Sequence, residues 1–263
     1  MKIALGIEYD GARYQGFQLQ NGVLSIQGEL EKAIGTVADR EVRIICAGRT
    51  DAGVHATNQV VHFDFEPRGK KRSCYAWTKG VNCFLPPDIA VKWAREVPDD
   101  FNARFSAFSR TYRYIIWNGS MRPAIMSSGI SNYSGARLDD KAMHEASQFL
   151  IGENDFTSFR ASQCQSKSPY RNVQDISVTR RGDFVVLEIT ANAFLYHMVR
   201  NIAGTLLQVG YGQKDPSWVG ELLALKDRTK AGVTALPGGL YLVGVGYDPA
   251  LNLPSHPSGP LWF

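Results

Sequence analysis

A polar loop between two apolar runs holds the residues whose types could do chemistry. Residues 48–56 read GRTDAGVHA and combine glycines, a cation, a carboxylate and an imidazole, which is more than a simple turn requires. Arg49 and Asp51 are two residues apart. In an extended stretch their side chains share one side of the chain, where the guanidinium would lower the pKa of the carboxylate. The ionised carboxylate could then act as nucleophile or base. The same spacing also fits a salt bridge that only fixes a turn.

Three other chemistries are less compatible with this loop. His55 and His62 lie in neighbouring segments without a third ligand nearby, so a metal site is not indicated. The loop contains neither GxGxxG nor a GxxxxGKS or GxxxxGKT pattern, so a nucleotide-phosphate cradle is not indicated either. Asp51 has no acidic partner in its motif, which argues against the paired carboxylates of a glycoside hydrolase.

The composition is that of a globular chain with a mild positive charge. The chain has 263 residues, 44% of them hydrophobic, and a net charge of +4, which suits a polyanionic partner but is equally common among enzymes without one. No segment approaches the apolar length of a membrane span, and acidic and glycine residues come too early for a signal peptide. We therefore expect neither secretion nor membrane insertion. The cysteines lack CxxC spacing, which indicates reduced thiols in the cytoplasm: Cys46, Cys74, Cys83 and Cys164.

Lysine and arginine residues fall into short clusters beside aromatic residues. Such clusters suit nucleic-acid binding, but each one taken singly is better explained as a solvated face. The clusters are Lys70, Lys71 and Arg72; Arg104, Arg110 and Arg113; and Arg160, Lys167 and Arg171.

Hydrophobic periodicity predicts that strands and helices alternate in each half of the chain. In the first half the pattern predicts strands over 2–9, 42–47, 59–65 and 89–93, a helix from Ser25 to about residue 37, and a helix over 75–82. In the second half it predicts strands over 111–117, 173–179, 184–190 and 240–247, with the 173–190 pair forming a hairpin. It also predicts a helix that is capped by Asp139, has Phe149 facing inward and ends at Gly152. Two further helices are predicted from Met198 to Gly210 and from Asp215 to Leu225.

Each half thus has the approximate order β-α-β-β-α, although no residue-by-residue repeat is visible. We expect an α+β fold of two halves, residues 1–105 with the Asp51 loop and residues 106–263. This element order also suits a non-catalytic RNA-binding protein built from two RRM-like sheets. Residues 181–185 resemble the start of the RRM signature, but Asp183 stands where a stacking aromatic is needed.

Residues 48–56 resemble the signature loop of the TruA family of tRNA pseudouridine synthases, in which the catalytic aspartate corresponds to Asp51. Further stretches are similar to the family in the same order, span nearly the whole chain and are closest to the bacterial type. They are KIALGIEYDGARYQGFQLQ, VPDDFNARFSAFSRTYRY, GENDFTSFRASQCQS and NAFLYHMVRNIAGTLLQVG. Residues 66–74, EPRGKKRSC, are the least family-like.

The resemblance implies a pseudouridine synthase fold, with two RRM-like or ferredoxin-like α+β halves and antiparallel sheets around a central basic cleft. It implies isomerisation of uridine to pseudouridine without a cofactor or metal. The target uridines would be at positions 38, 39 and 40 in the anticodon arm of tRNA. It also implies a homodimer in which one tRNA touches both subunits.

The resemblance also assigns roles to individual residues, among them Arg200, which the helix pattern alone would not select. Arg49 would be the cationic partner of Asp51 and would help to open the RNA. Tyr112 would lie against the target uracil. The alternation of side chains along a strand places it on the same face as Tyr114, and that pattern alone favours core packing. Arg200 would pair with the aspartate. The remaining assignment is an apolar floor formed by Leu242 and Val243.

Overall fold

The structure is a computed structural model that describes residues 1–67, 71–254 and 259–260. The chain forms two compact units: the first comprises Met1–Arg110 and the described residues from Leu242, and the second comprises Thr111–Tyr241. The proposed halves 1–105 and 106–263 stay a prediction about domains. Residues 242–254, which that prediction places in the second half, belong to the first unit.

Strands and helices alternate through the described residues. The strands are β1 (Lys2–Tyr9), β2 (Ile45–Cys46), β3 (His55–Asp64), β4 (Ile89–Val97), β5 (Ser109–Trp117), β6 (Ser131–Asn132), β7 (Gly152–Asp155), β8 (Tyr170–Arg181), β9 (Phe184–Ala191) and β10 (Leu240–Gly246). The α-helices are α1 (Ile26–Ala38), α2 (Cys74–Asn82), α3 (Asp140–Gln148), α4 (Met198–Gly210) and α5 (Trp218–Leu225). The α+β fold class is confirmed.

The sheet of the first unit has the strand order β4-β1-β3-β10, with β2 paired to the edge of β3. Strand β1 is antiparallel to both neighbours, and Leu5 lies opposite Val61 on one side and Ala94 on the other. Because β1 is central and largely buried, it is an almost continuous apolar run. Partly buried hydrophobic residues at the end of β10 and after it pack against Trp93 and nearby core residues: Val245, Tyr247, Leu251 and Leu253.

Helix α1 forms where the sequence predicted it because its start is capped and one stripe is apolar. The Ser25 hydroxyl accepts a hydrogen bond from the Gly28 N–H at 3.3 Å, which satisfies one of the free donors of the first turn. Ile26, Leu30 and Ile34 are buried at helical spacing. The helix therefore packs with this stripe inward.

The sheet of the second unit has the order β5-β9-β8-β7, and β6 pairs in parallel with β5. Arg181 pairs with Phe184 across a two-residue turn, and Gly182 there has φ 60°, which glycine adopts without strain. The predicted 173–190 hairpin is confirmed. Asp139 caps α3 by accepting from the N–H groups of Lys141 and Ala142 at 3.0 Å.

Several local predictions differ from the structure. The strand predicted over 42–47 spans only Ile45–Cys46, and the helix predicted from Asp215 begins at Trp218. Strand β3 begins at His55 rather than residue 59, so the end of the polar loop is already extended. Phe149 is 47% exposed rather than inward, and it is the residue that follows the last residue of α3. Gly152 does not end α3 but begins strand β7, a short polar edge strand that pairs with β8.

None of the helices in the described part of the chain combines the length and the apolar character that crossing a bilayer requires. The four cysteines are all free thiols.

Candidate active site

The start of the Asp51 loop is fixed by two buried polar side chains. The Gln59 side-chain amide donates to the Gly48 carbonyl at 2.5 Å. The Arg110 guanidinium donates to the Ala47 carbonyl through Nη2 at 2.9 Å and through Nε at 3.3 Å. Both side chains are buried, where a hydrogen bond to a carbonyl is stronger than in water. The chain therefore enters the loop from a defined direction.

The middle of the loop is anchored through Thr50. Its hydroxyl lies 2.8 Å from the hydroxyl of Tyr9, and both side chains are buried. Its carbonyl accepts from the Phe17 N–H at 3.0 Å. Gly16 passes so close that an added Cβ would lie 2.9 Å from that carbonyl, and its φ of 97° also favours glycine. The residue before Asp51 is thus held by its side chain and its backbone.

Asp51 opens a tight turn that the next residues close. The Val54 N–H donates to the Asp51 carbonyl at 3.1 Å, and Gly53 has φ 74°, the left-handed conformation that such a turn needs near its end. Gly11 packs against this turn, since a Cβ there would lie 2.0 Å from the Val54 carbonyl. Asp51 itself is partly buried.

The histidines beside the loop have structural contacts. His55 is buried, and its Nδ1 lies 3.0 Å from both the Gly11 N–H and the Asp10 carboxylate. His62 accepts the Ala103 N–H at Nδ1, at 3.0 Å, and burial lowers its pKa. Within residues 1–67, 71–254 and 259–260, no three metal-binding side chains come together.

Arg49 lies on the accessible side of the loop. Its side chain is exposed, whereas Ala47, two residues earlier, and Thr50, the next residue, are buried. Its charge also lies close enough to Cys46 to lower the pKa of that thiol, as Arg104 does. Burial has the larger effect and raises the Cys46 pKa to about 11. The assigned ionic role of Arg49 toward Asp51 stays a prediction.

Tyr112 and Tyr114 both lie on β5, and both side chains are buried. Tyr114 is fully buried and its hydroxyl donates to Ser131 Oγ at 2.7 Å and lies 2.9 Å from the Leu236 carbonyl. Burial raises its pKa well above the ordinary value. Tyr112 is 8% exposed, and its ring meets the edge of Phe194 at a centroid distance of 5.0 Å.

Arg200 is oriented at the start of helix α4. Its Nε donates to the Ala235 carbonyl at 2.8 Å, and the Ala235 N–H donates back to the Arg200 carbonyl at 3.1 Å. His197, which precedes the helix, has φ 60°, so the chain turns sharply there. The guanidinium is near enough to Tyr114 to act against the rise of its pKa. Leu242 and Val243, in the first unit, are buried.

The basic clusters are mostly structural. Lys71 pairs with Glu96 at 2.5 Å, and Arg72 lies over the core rings of Phe65 and Trp77. Lys70 lies outside the described residues. In the second cluster Arg110 is buried among carbonyls and Arg113 pairs with Glu188, whereas Arg104 is exposed. In the third, Arg160 and Arg171 bond to nearby backbone carbonyls and Lys167 is exposed.

Sequence reasoning missed the residues that hold the loop. Tyr9 was predicted only as part of a strand, Gln59 only as the start of one, and Arg110 as a surface cation. No local pattern separates a buried arginine from a solvated one. The one available signal was polarity at Gln59 within an apolar strand, since a buried polar group needs a partner.

Comparison with known proteins defines the class. The family model described as tRNA pseudouridine synthase matches residues 6–106 and 146–248. The chain belongs to the tRNA pseudouridine synthase family, a family of isomerases.

Individual relatives show which type of synthase within this family the chain resembles. Proteins named tRNA pseudouridine synthase A are 58% identical in Vibrio parahaemolyticus, covering 100% of this chain and 98% of the relative, and 59% identical in Aeromonas salmonicida, covering 100% and 96%. Within the family the chain is of the bacterial TruA type. The crystal structure of a Cbf5-Nop10-Gar1 complex is similar at a TM-score of 0.40 and 14% identity, over 92% of this chain and 49% of that one, a likeness too low to define a fold.

Proposed function

We propose that this protein isomerises uridine to pseudouridine in the anticodon arm of tRNA, at positions 38, 39 and 40. The family match and the full-length similarity to proteins named tRNA pseudouridine synthase A support the activity. The choice of positions rests on the resemblance of the motifs.

The reaction is internal to one nucleotide. The bond from ribose C1′ to uracil N1 breaks, the uracil turns over, and a bond from C1′ to C5 forms. The proton on C5 leaves to solvent, and N1 takes up a proton. No electrons or groups pass to another molecule, so the protein has to supply a carboxylate and a site that holds the loosened base.

Asp51 is the proposed carboxylate, acting as nucleophile or base. The observation that carries this proposal is the support of its loop, in which Ala47, Gly48 and Thr50 are each held by a buried partner. A group held in one position is effective because little orientational freedom is lost in the reaction. Asp51 is only partly buried, so substrate can reach it.

Four further residues are proposed to hold the substrate or the carboxylate. Arg49 opens the RNA and replaces the flipped base, for which its exposed guanidinium is suited. Tyr112 lies against the target uracil. Arg200 keeps Asp51 ionised and oriented. Leu242 contributes to the apolar floor.

The proposed partner is tRNA, bound by a homodimer in which one tRNA contacts both subunits, in the cytoplasm. A target uridine within a folded arm must leave its stack before a carboxylate reaches it. Phosphate contacts from cationic side chains would provide most of the affinity.

The proposal is tested by tritium release from tRNA labelled at C5 of uridine, in buffer with a chelator and no added cofactor. Asp51→Ala should abolish release and leave the Kd for tRNA nearly unchanged, because one loop carboxylate adds little to a polyanion interface. Asp64→Ala is the matched control, since Asp64 is an exposed carboxylate of the same unit. No release by the folded native chain on unmodified tRNA would favour the non-catalytic RNA-binding alternative.

A further inference from the structure

A closed turn over residues 102–106, here called the Asn102 turn, is preformed by its own hydrogen bonds. The Asn102 side-chain oxygen accepts the N–H groups of Arg104 at 3.0 Å and Phe105 at 3.2 Å. The Asn102 N–H donates to the Ser106 hydroxyl at 2.9 Å, and the Ser106 N–H donates back to the Asn102 carbonyl at 2.8 Å. The Ala103 N–H anchors the turn to His62. Its shape therefore does not depend on a ligand.

This turn presents an aromatic ring and a cation to solvent. Phe105 is 77% exposed, and the Arg104 guanidinium lies 5.4 Å from the centroid of its ring. Phe108, close by in the chain, is 56% exposed. A phenylalanine held in water gives up the stabilisation that burial would provide. The arrangement is suited to a partner with flat faces and negative charge.

The Asn102 turn is tied directly to the Asp51 loop. One nitrogen, Arg110 Nη2, donates both to the Ala47 carbonyl at 2.9 Å and to the Arg104 carbonyl at 2.5 Å. The backbone that leads into the Asp51 loop and the backbone of the turn are therefore both bonded to one buried guanidinium. Consistent with this proximity, the charges of Arg49 and Arg104 both act to lower the pKa of the Cys46 thiol, against the larger effect of burial.

We infer that the Asn102 turn is a tRNA contact surface in which Phe105 stacks on an unpaired nucleobase beside the target uridine and Arg104 faces a phosphate. This inference rests on the proposed function and adds a binding residue to it. Every base has a π-face, so stacking on phenylalanine is tolerant of sequence. Such a contact suits an enzyme that acts at several neighbouring positions with different flanking bases. The positive charges of Arg49 and Arg104 complement the phosphates on both sides of the flipped nucleotide.

Binding measurements on Phe105 variants test the stacking. In the Asp51→Ala background, where no turnover occurs, Phe105→Ala should weaken the Kd for an unmodified tRNA transcript about 10-fold, within the range known for loss of one base–aromatic stack. Phe105→Leu should lose nearly as much, and Phe105→Trp should restore binding. Phe84→Ala is the matched control, because Phe84 is a phenylalanine of the same unit that is 57% exposed. It should bind like its parent.

Two further readouts identify the partner. The tryptophan of Phe105→Trp should be quenched by tRNA, measured as the difference from the chain without this substitution. Arg104→Gln should weaken binding of all tRNA sequences alike and reduce the slope of log Kd against log salt by about one. A structural role alone would not change the salt slope.

The possible outcomes separate this inference from the proposed function. If the native chain releases tritium but Phe105→Ala binds tRNA as tightly as Phe84→Ala, the inference is wrong. If Phe105→Ala instead lowers the oligomer mass in light scattering and binds tRNA normally per subunit, the ring contacts a second copy and the inference is also wrong. If the native chain is inactive while Phe105→Ala weakens binding and Phe105→Trp restores it, the RNA surface stands and the proposed activity fails.

Discussion

The hydrogen bond between Tyr9 and Thr50 allows a worked test of how the Asp51 loop is held. The two hydroxyls are 2.8 Å apart, and the residues are 2% and 6% exposed. Tyr9→Phe leaves the Thr50 hydroxyl buried without this partner, which costs about 1–3 kcal/mol. Thr50→Val removes the hydroxyl that Tyr9 contacts. The double variant removes both polar groups with little change of shape, so its loss should be well below the sum of the single losses.

The expected coupling free energy is about 1–2 kcal/mol, the range for residues in direct contact. It is measured by urea unfolding of the native chain, both single variants and the double variant, from the midpoints at constant m. Because Thr50 precedes Asp51, the same variants should lower kcat about tenfold with an unchanged KM for tRNA, since small displacements of a reacting group are costly.

Two results would refute this reasoning. Strictly additive losses of stability would mean that the two hydroxyls do not depend on each other. Loss of stability with kcat unchanged in every variant would mean that the position of Asp51 does not depend on the anchoring of Thr50.

Two further predictions concern the residues around the loop. Gly11→Ala places a Cβ 2.0 Å from the Val54 carbonyl, so the turn must shift. We expect kcat to fall at least about tenfold while the circular dichroism spectrum stays unchanged. Native-like turnover would contradict the close packing of Gly11 against the turn. Burial lowers the pKa of His62 in the folded state, so the unfolded chain binds a proton first and stability is lost as the pH falls below about 6.5. His62→Asn, which keeps an acceptor for Ala103, should therefore lose less Tm between pH 7 and pH 5 than the native chain, and equal slopes would rule out this titration.

The sequence predicts elements well where their apolar content is high or their ends are capped locally. Strand β1 is an apolar run that lies between two neighbours, and α4 places Ile202 and Leu206 inward as their spacing predicts. Asp139 caps α3 because its carboxylate can reach the first N–H groups of the helix. In each case the deciding interactions lie within a few residues, so a single sequence contains them.

The support of the candidate site could not be predicted because its contacts are distant in the chain. Arg110 bonds to Ala47 across 63 residues, and Tyr9 bonds to Thr50 across 41 residues. Arg110 carries the same side chain as exposed Arg104, and only the fold surrounds one of them with carbonyls. Charge clusters in the sequence therefore predicted a basic surface where part of the charge is internal.

The burial pattern of the loop shows how one short segment can be anchored and still be accessible. Thr50 is buried and bonds to Tyr9, whereas Arg49 is exposed and Asp51 is partly buried. Thr50 has both the size and the hydroxyl for this buried contact. A larger or charged residue at this position would break the contact and release the backbone between the two proposed catalytic side chains.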